Sequence, residues 1–280
     1  MDMAILSEDQ RRSFERDGYL HVPGVLSHAE VERYPETCDP LIAAFRDGRF
    51  RQKPDPGGAY FQLRDSVIQE PELRRLLAHS PAVPFLVQLL SPNIHLHTAA
   101  VVYKNPESED HGRRTWHRDI GLTRDLGHAG QVRAGVKVCY CLTDFPAHRC
   151  GITMFARGSH RLQEPLGIPE GDVDPPSMIE LTPRAGDAVL FENRTFHSVA
   201  PNTGDRVSKA VIYGYSYRWM RADYHLRLPD PELAGAAGPV EKQLLGGSPG
   251  EPLPDTLKEW ARENGLPVEE VPMTVEVPAG

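Results

Sequence analysis

What most constrains the fold of this chain is a change of character at Asn93. Beyond it, the stretches IHLHTAAVVY, VRAGVKVCYCL, GITMFA, DAVLFEN and SKAVIYGYSYRW are short, rich in β-branched and aromatic residues, and separated by Gly, Pro, Asn or Asp. Segments of that kind read as strands at sandwich or barrel spacing. The part before Asn93 reads helical. Ser7 and Gln10 have capping-box spacing, and SEDQRRSFERDG stops on Gly18. YLHV at 19–22 is a short apolar strand, and Ser27 with Glu30 opens a second helix running to about Arg46. A third helix is expected from Pro71 to Leu90, with proline in its first turn and Leu73, Leu76 and Leu77 at helical period. Strands that follow helices, without the alternation a parallel sheet needs, give an α+β fold: a mainly β, antiparallel core with helices packed outside.

The expected organisation is one domain over 1–280: a helical part at 1–92, a β-core at 93–220, and a Pro- and Gly-rich extension at 221–280. That extension carries one short helical candidate, LKEWAREN at 257–264, and reads as a covering or lid-like segment. With 40% hydrophobic and 25% charged residues the composition is that of a globular protein, and 24 Gly and 26 Pro carry no period that would signal collagen or low complexity. A net charge of −8 without a Lys/Arg stripe argues against nucleic acid as a partner. No apolar run is long enough to span a bilayer, and no basic amphipathic helix suits a membrane surface. The first twenty residues lack the pattern of an export signal, so a cytoplasmic location is expected. Four cysteines are too few for a disulfide framework. An enzyme or a small-molecule binding module remains.

TWHRDIG at 115–121 places His117 and Asp119 two residues apart in an expected strand, where both side chains share one face. The other His-x-acid pair, His28 and Glu30, lies in an expected helix, where such residues do not face each other. In DAVLFENRTFHSVAPNTGDRVS, His197 follows a strand, with Arg206 and Ser208 beyond it. Two histidines and one carboxylate on one face of an iron ion leave three positions open, as in non-haem Fe(II) oxygenases. Bidentate 2-oxoglutarate fills two of them and O2 the third. The far carboxylate of that co-substrate needs a fixed counter-charge, a role that suits Arg206 and its neighbour Ser208.

The opening FERDGYLHVPGVLS, the WHRD motif, the GITMFARGSHR segment at 151–161 and FHSVAPN followed by Arg206 span about residues 8 to 220. Together they resemble the phytanoyl-CoA dioxygenase-like family of Fe(II)/2-oxoglutarate oxygenases, in particular its bacterial natural-product tailoring members. The resemblance implies a double-stranded β-helix, the cupin-like jelly roll, with the metal ligands carried onto His117, Asp119 and His197. It implies the co-substrate anchor at Arg206, although in several relatives this arginine lies slightly further from the distal histidine, and a second co-substrate contact at Gln62. Halogenating relatives have a small residue where this chain has Asp119, so the resemblance is to the hydroxylating branch. The implied reaction converts 2-oxoglutarate and O2 to succinate and CO2 while oxidising a C–H bond of a small, largely apolar secondary metabolite. The product is then an alcohol, or an epimerised, desaturated or cyclised compound.

Trp116, Arg118 and Met154 flank the expected metal and are candidate substrate contacts. His95 and His97 share strand-face spacing, but no Glu follows at a cupin-like offset, so they read as core or pocket-lining. Cys139 and Cys141 read as small apolar packing residues. Two rival readings use the same β-core: a non-redox, metal-dependent cupin-type isomerase, and a β-barrel binding module without catalysis.

Overall fold

The first helix, α1 (Glu8–Asp17), begins as its capping box requires. The Gln10 backbone N–H donates to Ser7 Oγ at 3.1 Å, and the Gln10 side chain accepts from the Ser7 N–H at 2.9 Å. It ends on Gly18 in the left-handed region, φ 84°. There Gly18 abuts the loop before a key histidine so closely that a Cβ would lie 2.4 Å from Thr195 Oγ1. Ser27 and Glu30 repeat the box for α2 (His28–Arg46), which runs through Pro35 and Pro40. The chain is described here from a computed structural model over residues 5–54, 58–64, 67–79, 81–112, 114–223, 238–246 and 256–268.

The expected third helix is two helices, α3 (Pro71–Leu77) and α4 (Val83–Leu89). Two prolines accompany the break: Pro81 disfavours helical backbone ahead of it, and Pro84 falls in the first turn of α4. The strands are β1 (Tyr19–Val22), β2 (Tyr60–Leu63), β3 (Ile94–Lys104), β4 (Gly135–Cys141), β5 (Thr153–Ala156), β6 (Met178–Glu180), β7 (Ala188–Glu192), β8 (His197–Val199) and β9 (Ser208–Tyr217). A short helix, α5 (Leu122–Leu126), lies between β3 and β4.

All strand pairs are antiparallel and form two sheets, ordered β1-β7-β4-β9-β3-β2 and β6-β5-β8. Period-two alternation divides the larger sheet into two faces. Val136, Val138, Tyr140, Val211, Tyr213 and Tyr215 join the main core with the helices. Cys139, Phe191 and Ala210 point the other way and meet Tyr19 and Phe155 between the sheets. That second interior is the jelly-roll core; it is not a closed barrel. The Tyr213 and Tyr215 hydroxyls donate to the Leu73 and Leu77 carbonyls at 2.5 and 2.7 Å, so the buried phenols are satisfied where α3 crosses the sheet.

The C-terminal part contributes α6 (Pro239–Leu244) and α7 (Thr256–Glu263), the latter matching the expected helical segment within a residue. Leu244, Leu245, Leu257 and Ala261 enter the main core, and buried Gln243 donates to the Pro92 carbonyl at 2.9 Å. The two helices of the extension therefore pack on the helical side, while Arg221 to Asp223 at its start line a cavity on the larger sheet; the rest of it lies outside the described residues. No described helix is long and apolar enough to cross a membrane.

Burial holds several histidines neutral. Desolvation lowers the pKa of His79, His97 and His160, and pushes His95 down from 6.5 to about 4. Each binds a proton more readily in the unfolded chain, so stability is full above 6.5 and declines as pH falls toward the folded values. His95 alone contributes a loss on the order of 3 kcal/mol by pH 4. The urea midpoint of the metal-free protein is expected to fall steadily between pH 7 and pH 4, and a flat profile would contradict this burial.

Candidate metal centre

Two imidazoles are set side by side by one antiparallel bridge between the loop after β3 and the start of β8. His117 N–H donates to the His197 carbonyl and His197 N–H to the His117 carbonyl, both at 3.0 Å, and the ring centroids stand 4.2 Å apart. The expected strand at 115–121 is only this bridge, because the chain turns at Ile120, φ 66°. Asp119 N–H donates to the Asn193 carbonyl at 2.9 Å, and the Asn193 side chain accepts from the Ala134 and Gly135 N–H groups at 2.9 and 3.2 Å. Asn193 thus ties the acid-bearing loop to β4 and to the turn before β8.

Both rings are oriented in the same way, by the carbonyl two residues back. His117 Nδ1 lies 2.7 Å from the Thr115 carbonyl and His197 Nδ1 lies 2.9 Å from the Thr195 carbonyl. A carbonyl only accepts, so Nδ1 carries the proton and the Nε2 lone pair faces Asp119. His117 Nε2 is 3.8 Å from Asp119 Oδ1, and His197 Nε2 is 3.5 Å from Oδ2. All the donor atoms lie within 4.8 Å of one another. Donors each about 2.1 Å from one ion and at right angles stand about 3 Å apart, so the set fits a single divalent cation. Asp119 Oδ2 is buried and makes no hydrogen bond, whereas Oδ1 accepts from Lys137 Nζ at 2.7 Å.

The charge states suit the same purpose. Burial raises the Asp119 pKa, but Lys137 and the two histidines outweigh it and hold the carboxyl well below its ordinary value. Burial pushes His197 down to about 3. Neither group holds a proton at neutral pH that a metal must displace.

Two cavities meet at this cluster, sharing Arg64, His117, Asp119 and Lys137. The outer one, about 640 Å³, is bounded by Ile120, Val136 and Tyr215 along with the polar side chains of His97, Arg124 and Asp223. The inner one, about 460 Å³, runs between the sheets past Gln62, Thr153, Phe191 and Val199 to Tyr60 and Lys104.

Of the residues singled out in the sequence, Gln62 lines the inner cavity, and its Oε1 accepts from Arg64 at 2.9 Å. Arg206 is not brought there. Its side chain is 91% exposed beside Asp205, and it lines a separate surface cavity. The cause is local: Asn202 donates to the Arg206 carbonyl at 2.7 Å and accepts from the Gly204 N–H, pinning the loop with Arg206 turned outward. Ser208 is buried at the start of β9 and donates to the Cys150 carbonyl.

The candidate substrate contacts are also largely spoken for. Trp116 turns away from the cavities and donates to the Val173 carbonyl and Asp174 at 3.2 and 3.1 Å. Arg118 borders the outer cavity, but its guanidinium donates to the carbonyls of Arg194, Ser159 and Leu162 and lies over Phe196. It locks the loop in place. Met154 is buried on the face of β5 opposite Thr153 and Phe155, away from both cavities. His97 borders the outer cavity, as a pocket-lining residue would, and His95 is buried against Ser216. No sequence motif marks Lys137, Lys104 or Arg64, which also line the cavities. Lys137 alternates with Cys139 along VKVCYC, and that period was the only local sign that it faces inward.

A paired-histidine, single-carboxylate site between the sheets of a jelly roll is the arrangement of mononuclear non-haem iron enzymes. The family model described as phytanoyl-CoA dioxygenase (PhyH) matches residues 14–210, and the chain belongs to that family. It is a non-haem Fe(II)/2-oxoglutarate-dependent dioxygenase, with Fe(II), 2-oxoglutarate and O2 as its cofactor and co-substrates. Dioxygenase hkm4 of Aspergillus hancockii is 26% identical over 224 residues, 73% of this chain and 70% of the relative. The epimerase SnoN, solved with Fe3+, alpha ketoglutarate and nogalamycin RO, superposes with a TM-score of 0.59 at 24% identity, covering 75% of this chain and 82% of SnoN. HygX from Streptomyces hygroscopicus, solved with nickel, 2-oxoglutarate and hygromycin B, gives 0.62 at 19% identity, covering 77% and 89%. At these identities the two structures show a shared fold.

Proposed function

We propose that this dioxygenase oxidises an unactivated C–H bond of a small secondary metabolite held in the outer cavity, by hydroxylation or by epimerisation, ring closure or desaturation. The observation that carries this reading is the opening of the 640 Å³ outer cavity directly onto His117 and Asp119, a volume suited to a small molecule. Support comes from SnoN and HygX, whose structures were solved with nogalamycin RO and hygromycin B.

In this reading His117, Asp119 and His197 would hold the iron, and Lys137 fixes the Asp119 carboxylate through Oδ1. Bound there, iron and 2-oxoglutarate supply the oxidising power for C–H cleavage as the co-substrate is converted to succinate and CO2. The Thr115 and Thr195 carbonyls keep both Nε2 lone pairs aimed at the ion. Arg118 fixes the loop that carries His117 and Asp119. The outer cavity decides which substrate hydrogen is presented.

Aerobic incubation with ferrous iron and 2-oxoglutarate is expected to form succinate slowly. An added nogalamycin- or hygromycin-like compound that fits is expected to raise the rate and gain oxygen or change its hydrogen count. Succinate formation that no compound of this class stimulates or couples to its own oxidation would count against the proposed substrate class.

A further inference from the structure

We propose that the far carboxylate of 2-oxoglutarate is anchored in this chain by Lys104 of β3, at the floor of the inner cavity, and not by an arginine of the loop before β9. The inference concerns the co-substrate and is independent of which C–H bond is oxidised.

The inner cavity is lined by three cations, Arg64, Lys104 and Lys137. Lys137 is committed to Asp119 at 2.7 Å. Arg64 stands at the junction of the two cavities, bonded to Gln62 and 3.7 Å from Asp223. Lys104 lies further in. Its side chain is 11% exposed, and in register it sits opposite Ser208 on β9 and Tyr60 on β2. The cavity reaches it from His197 past Val199 and Thr153, which pair across β8 and β5. A diacid whose keto-acid end is at the metal site has its second carboxylate further into that cavity, where Lys104 is the buried positive charge.

The stem of Lys104 is built into this floor. Gly151, at φ 78°, passes over it so closely that a Cβ there would lie 2.7 Å from Lys104 Cγ and 3.1 Å from Ser208 Oγ. The ammonium's partner is Glu107, at 2.5 Å, on the loop that leaves β3. A co-substrate carboxylate takes over that contact, or shares it, so Glu107 is a competitor that occupies the ammonium in the ligand-free protein. Arg206 is exposed on the outer surface and lines a different cavity.

The test is a calorimetric comparison of 2-oxoglutarate with 2-oxovalerate, which keeps the keto-acid end and lacks the far carboxylate, on the manganese-loaded protein under nitrogen. Wild type is expected to prefer 2-oxoglutarate. Lys104→Met is expected to lose about 10- to 100-fold in 2-oxoglutarate affinity, the scale of one charge-assisted hydrogen bond, with 2-oxovalerate and manganese affinities unchanged. Lys104→Arg restores part of the preference, Glu107→Gln tightens 2-oxoglutarate binding, and Arg206→Ala changes nothing. A Lys104→Met protein that binds manganese and keeps the wild-type preference overturns the proposal, as does loss of the preference in Arg206→Ala. Wild type that binds both keto acids equally would remove the far-carboxylate anchor altogether without touching the proposed substrate class.

Discussion

Asp119→Ala is expected to abolish 2-oxoglutarate turnover and to weaken iron binding by more than about 100-fold, beyond what removing a residue that merely supports a metal ligand costs. The carboxylate is the only anionic member of the donor set, and its Oδ2 has no other buried partner. The same change leaves Lys137, 20% exposed, without its ion-pair partner, so part of any stability loss is electrostatic. Asp119→Asn keeps the volume and removes the charge, so it shows what losing the carboxylate alone does, without a packing defect. Iron content after equilibrium dialysis is the deciding measurement. Stoichiometric iron in both variants would place the metal elsewhere and dismantle the site.

The second large effect is structural. Phe155→Ala is expected to destabilise the protein by about 3–5 kcal/mol, the usual range for deleting a fully buried aromatic ring. Phe155 is completely buried between the two sheets, stacked on Tyr19 at 5.0 Å and edge-on to Phe191 at 5.1 Å. Phe191 in turn leans on His197 at 4.8 Å. The cavity therefore opens beneath a histidine of the metal site. Chemical denaturation reads the stability change. Iron affinity is expected to fall alongside it, although no donor atom is altered. A loss below about 1 kcal/mol would mean that the interface between the sheets repacks freely.

Local patterns were enough for much of the molecule. The capping boxes at Ser7 and Ser27 specify helix starts, because each satisfies orphan N–H groups within three residues. The β-branched runs after Asn93 specify strands. β6, with three residues, carries too little pattern to be seen, and in the Pro71–Leu90 segment the apolar period of a single helix masks the break at its prolines. The donor set was legible from two short motifs, since His117 and Asp119 are neighbours and FHSVAPN marks His197. Their convergence needed the His117–His197 bridge.

What the sequence by itself determined was therefore the kind of most elements and the candidate metal-site donors, each marked by a short local motif. Only the tertiary structure decided which cations face the interior. Arg206 is near His197 in sequence, yet its loop turns it to solvent. Lys104 and Lys137 are placed beside the site by strand register and by the alternation of side chains across a sheet. Both depend on pairings between distant segments, and no local pattern in this chain encodes which strand lies next to which.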